Sequence, residues 1–410
     1  MRFVYSVALH IYSFSVEISS FFNRKARMMR VGQWYTNGIL RKNIDRNARY
    51  IWFHASSLGE FEQGRPMMEA IRKQYPGYKI LLTFFSPSGY EVRKNYAYAD
   101  VICYLPFDTP YKVRKFINLA NPAIAVFIKY EFWLNYLTEL KKRAIKIYLV
   151  SAVFRPNQLF FKWYGRWYRK VLLCYDHLFV QDEASKKLLA AYGITKVEIC
   201  GDTRFDRVLE IQKKARVLPE IETFTKGNQP ILVVGSSWPE DEEIIIPYFN
   251  SHPEIKLIIA PHEIHHKHLL YIQSKLNRPV IRLSEANGDM LRTHDCLIID
   301  SFGLLSSIYR FGSVAYIGGG FGKGIHNTLE AAVYGIPVIF GPNYQKFKEA
   351  RGLIAQGGGF SVNNESAFIN RMNEFITNPS IRNEAGMAAK DFVHQNAGAT
   401  DKVLSFLCLE

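Results

Sequence analysis

Cysteine is scarce in this chain. Its five cysteines (Cys103, Cys174, Cys200, Cys296, Cys408) are odd in number, widely scattered and never arranged as Cys-x-x-Cys. That spacing excludes a structural zinc knuckle and points to reduced thiols in a cytoplasmic setting. Acidic residues are also under-represented, 37 Asp and Glu against 52 Lys and Arg, for a formal charge of +15. Such a balance asks for an anionic partner: nucleic acid, acidic lipid or a phosphorylated substrate. The chain has no low-complexity tract and no short repeat. A secretory leader would place its charge ahead of the apolar run and a small-residue cleavage site behind it, and neither is present at the N-terminus. What remains is a globular chain of 410 residues, 48% hydrophobic, long enough for two domains.

Met1 to Phe22 is mostly apolar, and Arg24, Lys25, Arg27 and Arg30 follow it at once. The length is at the short end for a bilayer span, and Glu17 makes a span costly. An amphipathic helix in the membrane interface, with the basic cluster on acidic head groups, is the expectation; a buried core helix is the competing reading. From Tyr50 onward, strand-like runs alternate with helical patterns. Tyr50–Phe53, Lys79–Thr83, Val101–Tyr104, Ala123–Ile128, Lys146–Val150 and His177–Val180 form one series. Ile231–Gly235, Lys256–Ala260, Val280–Leu283, Cys296–Asp300, Val314–Ile317 and Pro337–Phe340 form a second, after a polar stretch, Glu210–Gln229, that reads as a linker. The fold class expected is therefore α/β, two doubly wound Rossmann-like domains whose strand ends face a central cleft.

The most informative segment runs from Ile317 through five glycines to His326-Asn327-Thr328-Leu329-Glu330. A strand, a glycine-rich loop and a short helix over Thr328–Tyr334 together read as a phosphate cradle. Asn327 and Glu330 also fit a capping box, the plainer reading. Gly322-Lys323 lacks the Ser or Thr of a P-loop, and G-x-G-x-x-G is absent. Across the expected cleft, His54-Ala55-Ser56-Ser57-Leu58-Gly59-Glu60 puts a carboxylate at a helix start. Glu60 there suits either a general base or a helix cap. Lys129, just after an apolar strand, and Arg204, in Gly201–Asp206, are cations able to meet a departing phosphate or to stand idle in solvent. Pro261-His262-Glu263-Ile264-His265-His266 contains a formal His-Glu-x-x-His, but its start beside Pro261 suits a nucleotide-holding loop better than a zinc helix. Arg155–Lys170 alternates aromatics with cations at helical spacing, which fits a membrane surface, a single-stranded nucleic acid or an ordinary core stripe.

Taken in order, these pieces resemble the 3-deoxy-D-manno-octulosonic acid (Kdo) transferases of lipid A glycosylation in Gram-negative bacteria. The resemblance rests on His54–Glu60, Thr83–Gly89, Leu105–Asp108, Glu131–Asn135, Gly201–Asp206, Asp300–Leu305, Gly318–Glu330 and Val338–Pro342. It implies a GT-B glycosyltransferase that moves Kdo from CMP-Kdo to a lipid A precursor with inversion, using no metal or other cofactor. Glu60 would be the general base, with Lys129 and Arg204 beside the reaction. The CMP-sugar would lie on Pro261 and His262, on Phe302, Gly303 and Leu304, and on Asn327, Thr328, Leu329 and Glu330. The implied partners are CMP-Kdo, an anionic lipid A precursor and the cytoplasmic face of the inner membrane, not nucleic acid. The corresponding domains are a membrane-interface helix and basic cluster (1–30), an acceptor domain (31–209), the linker (210–229), a donor domain (230–390) and a C-terminal helix (391–410) packing back on the acceptor domain. The chain departs from the family pattern at Lys129, where relatives often carry an acid, at Arg204 (often Lys) and at Thr328 (usually Pro). Another nucleotide-sugar GT-B enzyme, or a non-catalytic membrane or nucleic-acid binder, are the competing functions.

Overall fold

The computed structural model describes residues 2–407 and 409. Met1, Cys408 and Glu410, and with them part of two readings above, lie outside the described residues. The chain divides into two compact units, Met1–Arg207 with Ala397–Glu410, and Val208–Asn396. Each is built on a seven-stranded sheet.

The first sheet comprises β1 (Arg49–Ala55), β2 (Tyr78–Phe84), β3 (Val101–Tyr104), β4 (Ile124–Ile128), β5 (Lys146–Ala152), β6 (His177–Val180) and β7 (Val197–Ile199). Every pair is parallel, in the order β3-β2-β1-β4-β5-β6-β7. Helices cover both faces, so strands such as Ile124–Ile128 are buried throughout and read as unbroken apolar runs. The order reverses between β1 and β4, the position where the loops beyond two neighbouring strands part and leave a crevice.

The second sheet comprises β8 (Ile231–Ser237), β9 (Lys256–Pro261), β10 (Val280–Arg282), β11 (Cys296–Ile298), β12 (Val314–Ile317), β13 (Val338–Phe340) and β14 (Gly359–Ser361). It too is wholly parallel, in the order β10-β11-β9-β8-β12-β13-β14. Its reversal lies between β8 and β12.

Three expectations are revised. Glu210–Gln229 is not a free linker: it holds the end of helix Thr203–Lys213 and a helix Pro219–Phe224 whose Ile221 and Phe224 are buried in the second unit. Arg155–Lys170 is not one amphipathic helix. It folds into short turns, Leu159–Phe161, Trp163–Gly165 and Arg166–Arg169, because Gly165 lies against the Leu159 carbonyl, where a Cβ would come within 1.7 Å. Phe160 and Phe161 enter the core while Trp163 stays 88% exposed. The helix after the glycine loop is a single turn, Leu329–Ala332.

The N-terminal helix α1 (Arg2–Ser19) is followed by α2 (Arg24–Asn43). Tyr5 ties α1 down by donating its hydroxyl to Asp108 at 2.7 Å. On its other side Val4, Val7, Ile11, Phe14 and Ile18 recur at heptad spacing and are all exposed. Phe21, Phe22, Trp34 and Tyr35 are exposed as well. No helix among the described residues is long and apolar enough to cross a membrane. The C-terminal helix Ala399–Leu404 belongs to the first unit, where Asp206 accepts from the Gly398 and Thr400 amides, both at 2.6 Å.

Candidate active site

In the first unit, β1 delivers His54 and then Ser57, which starts helix α3 (Leu58–Gln74). Glu60 Oε2 accepts from the Ser57 amide at 2.9 Å and the Ser57 hydroxyl at 3.2 Å. The capping role is thus real. It engages one oxygen and leaves Oε1 without a hydrogen bond among the described residues. Burial, then the neighbouring Glu131, push the Glu60 carboxyl above its ordinary range; Ser57 and His54 pull back only in part. A half-buried carboxylate with a raised proton affinity and one open oxygen has what a general base requires.

Glu131 lies beyond β4 and is 3% exposed. Between them stands Lys129, held at φ 72°, in the left-handed region, while its amide donates to the Val150 carbonyl at 2.8 Å. A non-glycine residue kept in that conformation is a small store of strain of the kind concentrated at working sites. On the next elements, Thr203 donates to the Gln63 carbonyl at 2.6 Å, seating helix Thr203–Lys213 against α3. Arg204, the expected phosphate-facing cation, is ion-paired: its Nε and Nη2 reach Asp202 Oδ2 at 2.9 and 2.7 Å.

In the second unit, the glycine loop leaves β12. A Cβ on Gly318 would come within 2.2 Å of the Ser236 carbonyl, and one on Gly320 within 2.5 Å of the Gly341 amide. These two glycines therefore serve the chain's own backbone packing rather than ligand approach. Asp241, fully buried, fixes the loop: its Oδ2 accepts from the Gly319 amide at 2.8 Å and the Trp238 amide at 3.0 Å, and its Oδ1 from the Tyr316 hydroxyl at 2.8 Å. Asn343 pins the far side, donating to the Gly322 carbonyl at 2.8 Å.

Beside the loop, three rings form a stack. His262 lies 4.7 Å from Trp238 and 4.4 Å from His326, nearly parallel to both. Trp238 Nε1 donates to His326 Nε2 at 3.2 Å. Burial, then His262, lower the His326 pKa, in keeping with a neutral ring that can accept this bond. His262 sits outside the helix that His266 begins, so the formal His-Glu-x-x-His does not place two histidines on one helical face. His268 is instead buried against Glu242, 2.9 Å away.

The anticipated capping box is present in altered form. Asn327 Oδ1 accepts from the Leu329 amide at 3.2 Å, and Glu330 Oε1 receives the Asn327 side-chain amide at 3.0 Å. A one-turn helix has little dipole, so any anion here would be held by local N–H groups. Thr328 is fully buried with its hydroxyl unpartnered. Phe302, Gly303 and Leu304 follow β11, two strands from β8, with Phe302 76% exposed and Gly303 at φ 82°. Asp241, Trp238 and His326 were not singled out from sequence, although the Trp-Pro-Glu-Asp start of a helix was a usable capping signal.

The architecture recurs in solved structures. UDP-GlcNAc 2-epimerase from Neisseria meningitidis bound to UDP-GlcNAc superimposes with a TM-score of 0.63 at 14% identity, covering 87% of this chain and 98% of that one. MurG from Acinetobacter baumannii gives 0.54 at 11% identity, covering 88% and 99%. At such identities the likeness speaks for the fold alone, which is that of GT-B glycosyltransferases.

Sequence comparison goes further. A family model described as 3-deoxy-D-manno-octulosonic-acid transferase (kdotransferase) matches residues 26–207. The 3-deoxy-D-manno-octulosonic acid transferase of Aquifex aeolicus is 27% identical over 336 residues, 80% of this chain and 86% of the relative. That of Haemophilus influenzae is 26% identical over 372 residues, 87% and 86% of the two chains. Over most of its length the chain is thus similar to this family of glycosyltransferases.

Proposed function

We propose that the protein transfers Kdo from CMP-Kdo to a lipid A precursor in lipopolysaccharide biosynthesis, with inversion, at the cytoplasmic face of the inner membrane. The observation that carries this reading is the Glu60 carboxylate, half-buried, raised in proton affinity and open at one oxygen. Glu60 takes the proton of the acceptor hydroxyl. The hydroxyl oxygen then bonds to the anomeric carbon of Kdo while CMP departs with the electrons of the old glycosidic bond. No step in this account calls on a metal.

The donor is assigned to the second unit, on Pro261 and His262, on Phe302–Leu304 and on Asn327–Glu330. Backbone N–H groups around Asn327–Leu329 suit a single phosphate, and the Glu330 carboxylate can accept from ribose hydroxyls. Arg204, already paired with Asp202, would act on the leaving phosphate as part of that ion pair. Lys129 contributes a cation beside Glu131. Membrane attachment is read from the exposed heptad stripe of α1 with Arg24 and Lys25 just after it. Arg30, 3.5 Å from Glu17, compensates the acid that would otherwise oppose insertion.

Incubating the purified protein with CMP-Kdo and a tetraacylated lipid A precursor, with mass spectrometry of the lipid, tests the reading. Added Kdo with release of CMP is the expected result. No transfer from CMP-Kdo, with turnover of a UDP-sugar instead, would replace it with another GT-B activity.

A further inference from the structure

Next to Glu60 the first unit buries a pair of titratable groups to which the base reading gives no task. His54 is fully buried on β1, and Glu131 is almost so beyond β4. His54 Nδ1 lies 3.1 Å from the Thr83 carbonyl oxygen and 2.9 Å from Thr83 Oγ1. A carbonyl can only accept. Thr83 Oγ1 directs its own hydrogen to the Phe53 carbonyl at 3.3 Å and accepts from Trp52 Nε1 at 2.8 Å. Nδ1 therefore carries a hydrogen.

On the other edge of the ring, His54 Nε2 is 3.2 Å from Glu131 Oε2, an ion-pair contact rather than an aligned hydrogen bond. Two lone pairs at that distance would repel, so a proton belongs between them. Either an imidazolium faces a carboxylate or a neutral ring faces a carboxylic acid, and in both states the pair has no net charge. Burial pushes the Glu131 carboxyl up, but His54, Ser56 and Trp133 outweigh it and hold it below its ordinary value, which favours the ionic form. Trp133 Nε1 donates to the same Oε2 at 2.5 Å. The other titratable groups facing Glu131 are Tyr168 and Tyr175, phenols that burial keeps protonated, and Glu60 itself. Facing Glu60 are Glu131 and His54, with Ser57 from its own helix.

We propose that His54 and Glu131 are positioning residues, a buried dyad sharing one proton, whose uneven charge distribution sets the protonation of Glu60. With the dyad intact, Glu131 is already compensated, and Glu60 is the carboxylate left to accept the acceptor's proton. Glu131 stands nearer in effect than His54, so the dyad leaves a residual negative influence that makes Glu60 a stronger base than an ordinary glutamate. The inference rests on Glu60 as the base, and its test separates the two.

The experiment titrates the glutamate side-chain carboxyls by carbon-13 NMR, with the Glu60 resonance assigned through Glu60→Gln, and measures kcat/KM against pH on the same proteins. Glu131→Gln removes the nearby carboxylate and with it the ion pair. The Glu60 midpoint and the acidic limb of kcat/KM should both move to lower pH, by about one unit, or tenfold in proton affinity. His54→Gln instead leaves two carboxylates without their cation. The Glu60–Glu131 pair must then hold a proton, and a glutamate resonance should titrate about one unit or more above its wild-type position. A Glu60 midpoint that stays put in Glu131→Gln overturns the dyad's role, even if His54→Gln fails to fold. Loss of rate at all pH values with no movement of the limb or the resonance would make the pair merely structural and overturns it too. Movement of the Glu60 resonance with an unmoved rate profile supports the dyad and rejects Glu60 as the base.

Discussion

At the β1–β4 reversal of the first unit a buried carboxylate pairs with a histidine, whereas at the β8–β12 reversal of the second the buried carboxylate is turned onto the chain's own backbone. The two sheets are built alike, seven parallel strands each with one reversal of order. At the ends of β1 and β4, however, His54, Glu60 and Glu131 stand together, and Lys129 carries backbone strain. Beyond β8 and β12, the buried Asp241 is spent entirely on the chain itself, accepting from two backbone amides and a tyrosine hydroxyl. On the proposed function, one topology would divide a transfer reaction along this contrast. Proton chemistry needs side chains whose pKa the surroundings can move, while binding a nucleotide phosphate needs N–H groups fixed in place.

The contrast breaks most readily at Glu60. Glu60→Gln keeps an acceptor oxygen for the Ser57 amide but abolishes a basic carboxylate. The transfer rate should fall by about 10²–10⁴-fold with little change in melting temperature. A mutant that kept its rate would reduce Glu60 to a cap. In the wild type, the raised Glu60 pKa means the base is protonated, and inactive, up to a pH above the ordinary glutamate value of 4.5. The acidic limb of kcat/KM should therefore lie above that value, with rate rising as pH increases through it.

The second unit should respond through stability first. Gly320→Ala drives a Cβ to within 2.5 Å of the Gly341 amide, and neither backbone can yield without moving β13. A loss of about 1–3 kcal/mol in denaturant unfolding is expected. If Gly320→Ala left stability unchanged while donor affinity collapsed, the glycine would be there for the ligand after all.

These features were unequally legible in the sequence. The inner strands were plain because burial on both faces leaves continuous apolar runs such as Ile231–Val234. The edge strands β7 and β14, of three residues each, gave no such run. Arg155–Lys170 misled because a helical spacing of aromatics does not reveal that Gly165 folds the segment back on Leu159. Glu60 was visible as an acid opening a helix after small residues. Asp241 was not, since its partner Gly319 lies 78 positions away and only the sheet brings them together. His54 was read only as the start of the loop after the first strand, and its meeting with Glu131 depends on the β1–β4 pairing, which sequence order conceals.

A further contrast lies on the surface, where the first unit alone carries the exposed stripe of α1. Phe14, 62% exposed, would bury its ring in an acidic-lipid vesicle if the stripe docks there. Phe14→Ser should weaken vesicle binding by about 1.5–3 kcal/mol, roughly ten- to a hundredfold, in a flotation assay. Unchanged binding would remove α1 from the membrane reading without touching the site.

The smallest effect expected is at Thr328, where the second unit departs from its own economy of satisfied groups. Its hydroxyl is buried and unpartnered. An orphaned hydroxyl forfeits its hydration without a return, and valine has nearly the same shape. Thr328→Val should therefore raise unfolding stability by about 1 kcal/mol in the absence of donor. Should the gain disappear when CMP is present at saturation, the hydroxyl is satisfied by the nucleotide. The second unit would then hold its donor with a buried hydroxyl besides the groups proposed above, and the contrast between the units would be one of degree. A gain of the same size with and without CMP leaves the hydroxyl outside the donor site and the contrast intact.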